Sequence, residues 1–456
     1  MAKYQKYAEY KDTGIKLLGE VPKHWQVASV RRYLLDHRQG YYTTESYVDD
    51  GLKLLRITDL RDLGEIDILN CPMVKQNEST DLFKLKKGDV VFARTGGAGS
   101  FGVITKNYEN LIYASYLIRF RFMDVKFESN YLRYLCLSDS FQLSVKQNIH
   151  GGVNQNIHAE DIKDTVICTP PLLEQNQITK FLDQETAKIN LLIAKQEKLI
   201  ELLKEKRQAV ISHAVTKGLN LNVTMKDSGV EWLGQVPEHW KITKLSYVAN
   251  GFNGDRGSNY PSGEDFIDDG IPFISTSDLI GGKVLTNDAS RITEDRYNLL
   301  GGLKIKYGDI IYCLRGSVGK NGICEFNEGT IASALMGIRC NSIDPYYLLL
   351  LLNSSIESQQ RANYTTGSVS ANLSAENVMS YKFAFPPEKE QLQIVENLKM
   401  VFEYFDQLIT KAELAIKLMQ ERRTALISAA VTGKIDVRHW QSPNKNNNQN
   451  NMELSA

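Results

Sequence analysis

The chain has 456 residues, 42% hydrophobic and 24% charged, with 54 basic residues balanced by 54 acidic ones. That length gives room for two or three domains, each with its own core, and no apolar run approaches the roughly 18 residues that span a bilayer. The N-terminus MAKYQKYAEYKD lacks the apolar stretch of a signal peptide, so a cytoplasmic protein with no membrane partner is expected. Six cysteines (Cys71, Cys136, Cys168, Cys313, Cys324, Cys340) show no C-x-x-C or Cys/His spacing, which argues for buried free thiols rather than disulfides or zinc.

Read in order, the chain opens with TGIKLLGEVPKHW at Thr13, in which His24 lacks a paired nucleophile or carboxylate pattern and Trp25 marks a packing element. Short β-branched and aromatic runs bounded by glycine follow, among them KKGDVVFARTGG at Lys86 and LIYASYLIRFRF at Leu111, so residues 1–170 are expected to form a β-rich α+β domain with a short helix near 130–143. A polar loop, KQNIHGGVNQNIHAED, precedes Pro170-Pro171. From about Glu174 to Ala214 there is neither proline nor glycine, and apolar residues recur in steps of four and three, which predicts a long helix within 171–217. Its expected seam is Ile178, Leu182, Ile189, Leu192, Leu199, Leu203 and Val210.

The pattern then starts again. SGVEWLGQVPEHW at Ser228 answers the opening element after about 215 residues, KYGDIIYCLRGS at Lys306 answers KKGDVVFARTGG, GSVSANLSAEN at Gly367 answers GGVNQNIHAED, and FPPEKEQLQI at Phe385 answers TPPLLEQNQI at Thr169. A second β-rich α+β domain is expected over 218–385, a second long helix over 386–433 with seam Ile394, Leu398, Val401, Phe405, Leu408 and Leu426, and a disordered asparagine-rich tail over 434–456. About 41 helical residues make a rod of roughly 60 Å, too narrowly apolar to stand alone. Chain continuity therefore favours an antiparallel coiled coil of the two helices with one globular domain at each end, the chain nearly closing into a circle. Such a tandem repeat suits a partner with two-fold character, and double-stranded DNA is one.

The residues that could carry DNA contacts fall in two loops per half. After each G-D-[VI]-[VI]-[FY] strand come an arginine and spaced glycines, Arg94, Thr95 and Gly96 in one copy and Arg315, Ser317 and Lys320 in the other. Such a turn lets backbone amides and a guanidinium approach a phosphate or base edge. The polar loops supply Lys146, Asn148, His150, Gly151, Asn154, Gln155 and Asn156, and Tyr364, Thr365, Thr366, Gly367, Ser368, Ser370 and Asn372, whose amides and hydroxyls can pair with bases or phosphates. Arg56, Thr58, Ser275 and Ser277, after corresponding apolar strands, are weaker candidates. Neutral net charge implies that positive charge is concentrated on one face or supplied by other subunits. No methyl-transfer, Walker A or nuclease constellation is present, and the histidines show no metal-ligand spacing, so the chain is expected to catalyse nothing and to hold no cofactor or metal.

Together the PPLLEQNQI and PPEKEQLQI helix starts, the GEVPKHW and GQVPEHW elements and the half-length repeat resemble the specificity subunit of type I restriction-modification systems, over about 13–435. The resemblance implies two target-recognition domains, each reading half of a split, asymmetric DNA sequence, and helices that act as spacers and dock two modification subunits. It also implies that S-adenosylmethionine resides in those subunits, and ATP and Mg²⁺ in partner restriction subunits. Two other readings are a single-chain methyltransferase or nuclease with degenerate motifs, and a coiled-coil scaffold without a DNA role.

Overall fold

The computed structural model describes residues 4–151, 155–220, 222–365 and 373–441. The tail expected to be disordered over 434–456 is instead packed in its first part, where Ile435 and Val437 are buried in the core and Trp440 lies against it, and 442–456 lie outside the described residues. The chain divides into two compact units, residues 1–196 with 414–456, and residues 197–413. Unit 1 thus holds both ends of the described chain. There the Asp436 amide donates to the Gln5 carbonyl at 2.8 Å, and Trp440 meets Phe181 edge-on at 5.5 Å.

Two long helices, Leu172–Lys217 and Glu388–Val431, start after Pro-Pro pairs, where a missing amide hydrogen costs nothing. They end at Gly218 and Gly433, whose φ values of +73° and +72° are left-handed. Gly433 is doubly constrained, because a Cβ there would lie 2.2 Å from Pro22. Within unit 1 the helices run antiparallel: Arg423 donates to Asn190 at 2.5 Å, while Gln177, a few turns earlier, reaches the Trp440 carbonyl at 3.3 Å. Within unit 2 they do the same, with Arg207 on Asp406 at 2.5 Å and Gly218 against Glu390.

The seam differs from its expected course at two positions. Leu192 and Leu199 are 50% and 42% exposed, and Ile193 is buried in their place. Neighbouring residues point about 100° apart on a helix, so the run Leu191-Leu192-Ile193 offers apolar groups at three angles, and periodicity alone could not choose among them. Ile178, Leu182, Ile189, Leu203, Ile394, Leu398 and Phe405 are buried, and Val210, Val401, Leu408 and Leu426 are half-buried.

Each globular part is α+β. Unit 1 carries an antiparallel sheet of Leu34–Gln39, Leu117–Phe122, Asp89–Ala93 and Phe101–Val103, in that order, and a smaller sheet around Leu52–Leu55. Unit 2 builds its sheet from Ala249–Asn253, Leu335–Cys340, Ile310–Cys313 and Asn321–Ile323, extended by Gly282–Val284 and Leu279–Ile280. The long helices share these cores: Ile178, Phe181 and Ile427 pack with Trp25 and Phe120, and Ile211, Ile394 and Leu398 with Trp240.

The repeated motifs are joined by polar contacts, largely buried around Glu174 and more open around Glu390. Glu174 of PPLLEQ accepts from Trp25 Nε1 at 3.2 Å, pairs with His24 at 2.9 Å and accepts from the Tyr7 hydroxyl. Glu390 of PPEKEQ does the same with Trp240 at 3.2 Å and His239 at 2.8 Å. The adjacent glutamines fix the start of an earlier short helix in each unit, Gln175 accepting from the Glu128 amide at 3.0 Å and Gln391 from the Asp344 amide at 2.9 Å. The aspartate of each G-D strand is buried and held by a two-pronged arginine: Asp89 by Arg121 at 2.7 and 2.7 Å, Asp309 by Arg339 at 2.8 and 2.6 Å. Each motif is therefore one half of a hydrogen-bonded pair that is at least partly withdrawn from water at the Trp or Asp end, which explains why both members recur.

Candidate nucleic-acid interface

In unit 1 the strand Asp89–Ala93 delivers Arg94 to a turn in which Gly96 and Gly99 have φ of +68° and +87°, a conformation glycine adopts without strain. The Arg94 carbonyl accepts from the Ile157 amide at 3.0 Å, Thr95 bridges to Asn156, and His150 and Asn156 exchange backbone bonds of 2.9 and 2.8 Å. The two loops singled out from sequence therefore form one surface. Lys146, His150, Gly151 and Gln155 are exposed on it. Arg94 is half-buried, with Nη1 3.4 Å from Gln39 Oε1. The side-chain amide of Asn148 turns back to the Ser144 carbonyl at 2.9 Å and so closes its helix rather than facing outward. Asn154 lies outside the described residues.

Unit 2 repeats the junction, with the Leu373 amide donating to the Leu314 carbonyl at 3.1 Å. Arg315 and Ser317 are exposed, and Lys320 Nζ is tied to the Thr276 carbonyl at 2.8 Å. The Tyr364 hydroxyl lies 3.0 Å from Ser380 Oγ. Thr365 closes the helix Ser355–Thr365, and its side chain, with Thr366, Gly367, Ser368, Ser370 and Asn372, lies outside the described residues.

The weaker candidates have work inside the fold. Arg56 wraps Asp59 with its amide at 2.8 Å and its guanidinium at 3.1 Å, and Ser275 wraps Asp278 with its amide at 2.7 Å and hydroxyl at 2.8 Å, while Ser277 bonds Ser275. Burial works against the Asp59 carboxylate, yet these bonds from Arg56 hold it below its ordinary pKa. Thr58 sits 3.5 Å from the same carboxylate. These residues close corresponding turns in the two units.

Sequence reading missed the walls of the two clefts beside these turns. In unit 1, Tyr41, Tyr42, Tyr47 and Tyr116 line an open cleft of about 520 Å³ with Arg56 and Thr58, and Tyr42 and Tyr116 are 72% and 61% exposed. In unit 2, Asn253, Asp255 and Arg256 line one of about 660 Å³ with Arg315. The runs YYTTESY at Tyr41 and NGDRGSNY at Asn253 carry the right chemistry but have no counterpart in the other half, and the repeat could not flag them. Among the described residues no His/Cys/Asp/Glu cluster could hold a metal, and no helix is long and apolar enough to cross a membrane.

The family model for the type I restriction modification DNA specificity domain matches residues 53–202 and 237–418. The chain belongs to that family. Both matched segments fall one per repeat, and together they cover most of the chain. The putative type I restriction enzyme MjaX specificity subunit of Methanocaldococcus jannaschii is 25% identical over 446 residues, covering 94% of this chain and 98% of that one. The EcoKI specificity subunit of Escherichia coli K12 is 23% identical, covering 93% and 92%. The fold is shared with a chain from a structure on complex assembly and conformational transition of the type I R-M system (TM-score 0.69, 16% identity, 90% and 98% covered). It is shared also with the HsdS subunit of Thermoanaerobacter tengcongensis (TM-score 0.51, 16% identity, 91% and 98%). This chain is accordingly a specificity subunit, a non-catalytic part of a restriction-modification complex.

Proposed function

We propose that unit 1 reads one half of a split, asymmetric DNA target and unit 2 the other, within a cytoplasmic complex containing two modification subunits and, for cleavage, restriction subunits. The observation that carries this reading is the junction found in each unit: an arginine- and glycine-rich turn bonded through its backbone to a polar loop, with different side chains in the two copies. A shared scaffold with different side chains suits two readers of different base sequences. Base contacts come from the half-buried Arg94, from the exposed Gln155, Arg315 and Ser317, and from the cleft residues beside them. Methyl transfer with S-adenosylmethionine, and ATP- and Mg²⁺-dependent cleavage, belong to the partner subunits.

The helices, 46 and 44 residues long, set the number of unread base pairs and offer the docking surface for the modification subunits. Removing one heptad from each shortens a helix by about 10 Å, or about three base-pair rises. Sequencing of adenine methylation produced by the complex carrying that deletion is expected to show a shorter gap between unchanged half-sites. An unchanged gap would remove the spacer role. A complex that assembles yet protects no DNA sequence selectively would favour a scaffold instead.

A further inference from the structure

Beneath the arginine-glycine turn, the two units fill corresponding positions with opposite chemistry. In unit 1 the position is apolar: Phe92 packs on Phe101 at 5.8 Å and Phe141 at 5.9 Å, and a Cβ on Gly99 would lie 3.2 Å from Val145. In unit 2 the same strand, neighbouring strand and helix place Tyr312, Asn321, Glu357 and Arg361 there. The correspondence is fixed by the pairing of Phe92 with Phe101 and of Tyr312 with Asn321, and by the helix starts, where the Asp139 and Ser355 amides each donate to a serine of a long helix, Ser428 and Ser212.

Glu357 is only 3% exposed, and it accepts from the Tyr312 hydroxyl and from Arg361 Nε at 3.0 Å. Burial pushes its carboxyl above the ordinary range in spite of these donors. Arg361 in turn lies directly under the turn, for a Cβ on Gly319 would sit 2.7 Å from its Nε. Asn321 donates to the Gly319 carbonyl at 2.9 Å from the other side. A buried carboxylate is costly, and an apolar set fills the same space in unit 1, so packing alone does not account for it.

We propose that Glu357 is a positioning residue for unit 2: by holding Arg361 against Gly319 it fixes the turn from Arg315 to Lys320 and so governs which bases that unit accepts. This rests on the reading that each unit recognises one half-site. Unit 1 has no equivalent dependence, because Val145 meets its turn through apolar contact alone.

The test uses the full chain produced with its modification subunits, with adenine methylation sequenced in the host and thermal melting of the purified complex followed at neutral pH. The unaltered complex should give a bipartite motif; its absence would sink the half-site reading itself. Glu357→Gln is expected to melt no earlier than the parent, yet to lower methylation roughly tenfold or more, or broaden the accepted bases, in one half of the motif only. The triple substitution Tyr312→Phe, Glu357→Phe, Arg361→Val, which installs three of the four unit 1 side chains and keeps Asn321, should act in the same way and remain folded. An unchanged motif methylated at an unchanged rate in either folded variant would overturn the proposal, as would equal change in both halves. Early melting of both variants would also overturn it, since a structural role would then suffice.

Discussion

The two units share their frame and differ where the frame meets the reading turns. Trp25 and Trp240 each donate to a helix-start glutamate, and Asp89 and Asp309 are each gripped by a strand arginine, whereas Phe92, Phe141 and Val145 give way to Tyr312, Glu357 and Arg361. The difference has a physical origin. A buried donor or acceptor must keep its partner, so the frame pairs change only together, while the space beneath a turn can be filled by an apolar cluster or by a satisfied polar one.

The largest test of the shared frame is removal of its indoles. Trp25→Ala and Trp240→Ala should each cost about 3–5 kcal/mol, measured by denaturant unfolding of the purified chain, because each empties a buried site and leaves a glutamate short of a donor. A large loss in one unit and none in the other would break the equivalence. Asp89→Ala and Asp309→Ala should likewise each lose about 3–5 kcal/mol, as Arg121 and Arg339 are left without their buried carboxylate.

The frame was more legible than the interface. Repeated motifs marked the helix starts, the Trp elements and the G-D strands, because each is short and local in sequence. Their partners were not legible as pairs: nothing in the sequence connects His24 to Glu174 or Asp309 to Arg339, since those contacts exist only after the strands and helices are packed. The arginine-glycine turns were recognisable from glycine spacing, but the tyrosines beside Arg56 and the Asp255-Arg256 pair lie in stretches where the halves diverge. The helix seam failed at Leu192 and Leu199 for a related reason: consecutive apolar residues leave the packed face undecided until a partner helix chooses it.

The polar cluster beneath the turn of unit 2 adds a pH test that unit 1 should not show. Because burial raises the Glu357 pKa, its contribution to stability is full below the unfolded carboxyl value and is lost as pH rises through the folded one. Melting profiles of Glu357→Gln against the parent should therefore diverge upward from about pH 4.5, with the variant gaining relative stability as pH rises. Parallel profiles would show that the carboxyl titrates as it does in the unfolded chain. A smaller effect separates the two leucine rows: Ile193→Ala should cost about 2–4 kcal/mol, and Leu192→Ala within about 0.5 kcal/mol, by the same unfolding measurement.

The most direct measurement replaces residues 228–385 with the same region of a relative that reads another target and sequences adenine methylation made by the reassembled complex. Two independent readers on a common frame predict that one half of the methylated motif changes to the donor's sequence while the other half and the gap stay as they were. Change in both halves, or in neither, would contradict the account.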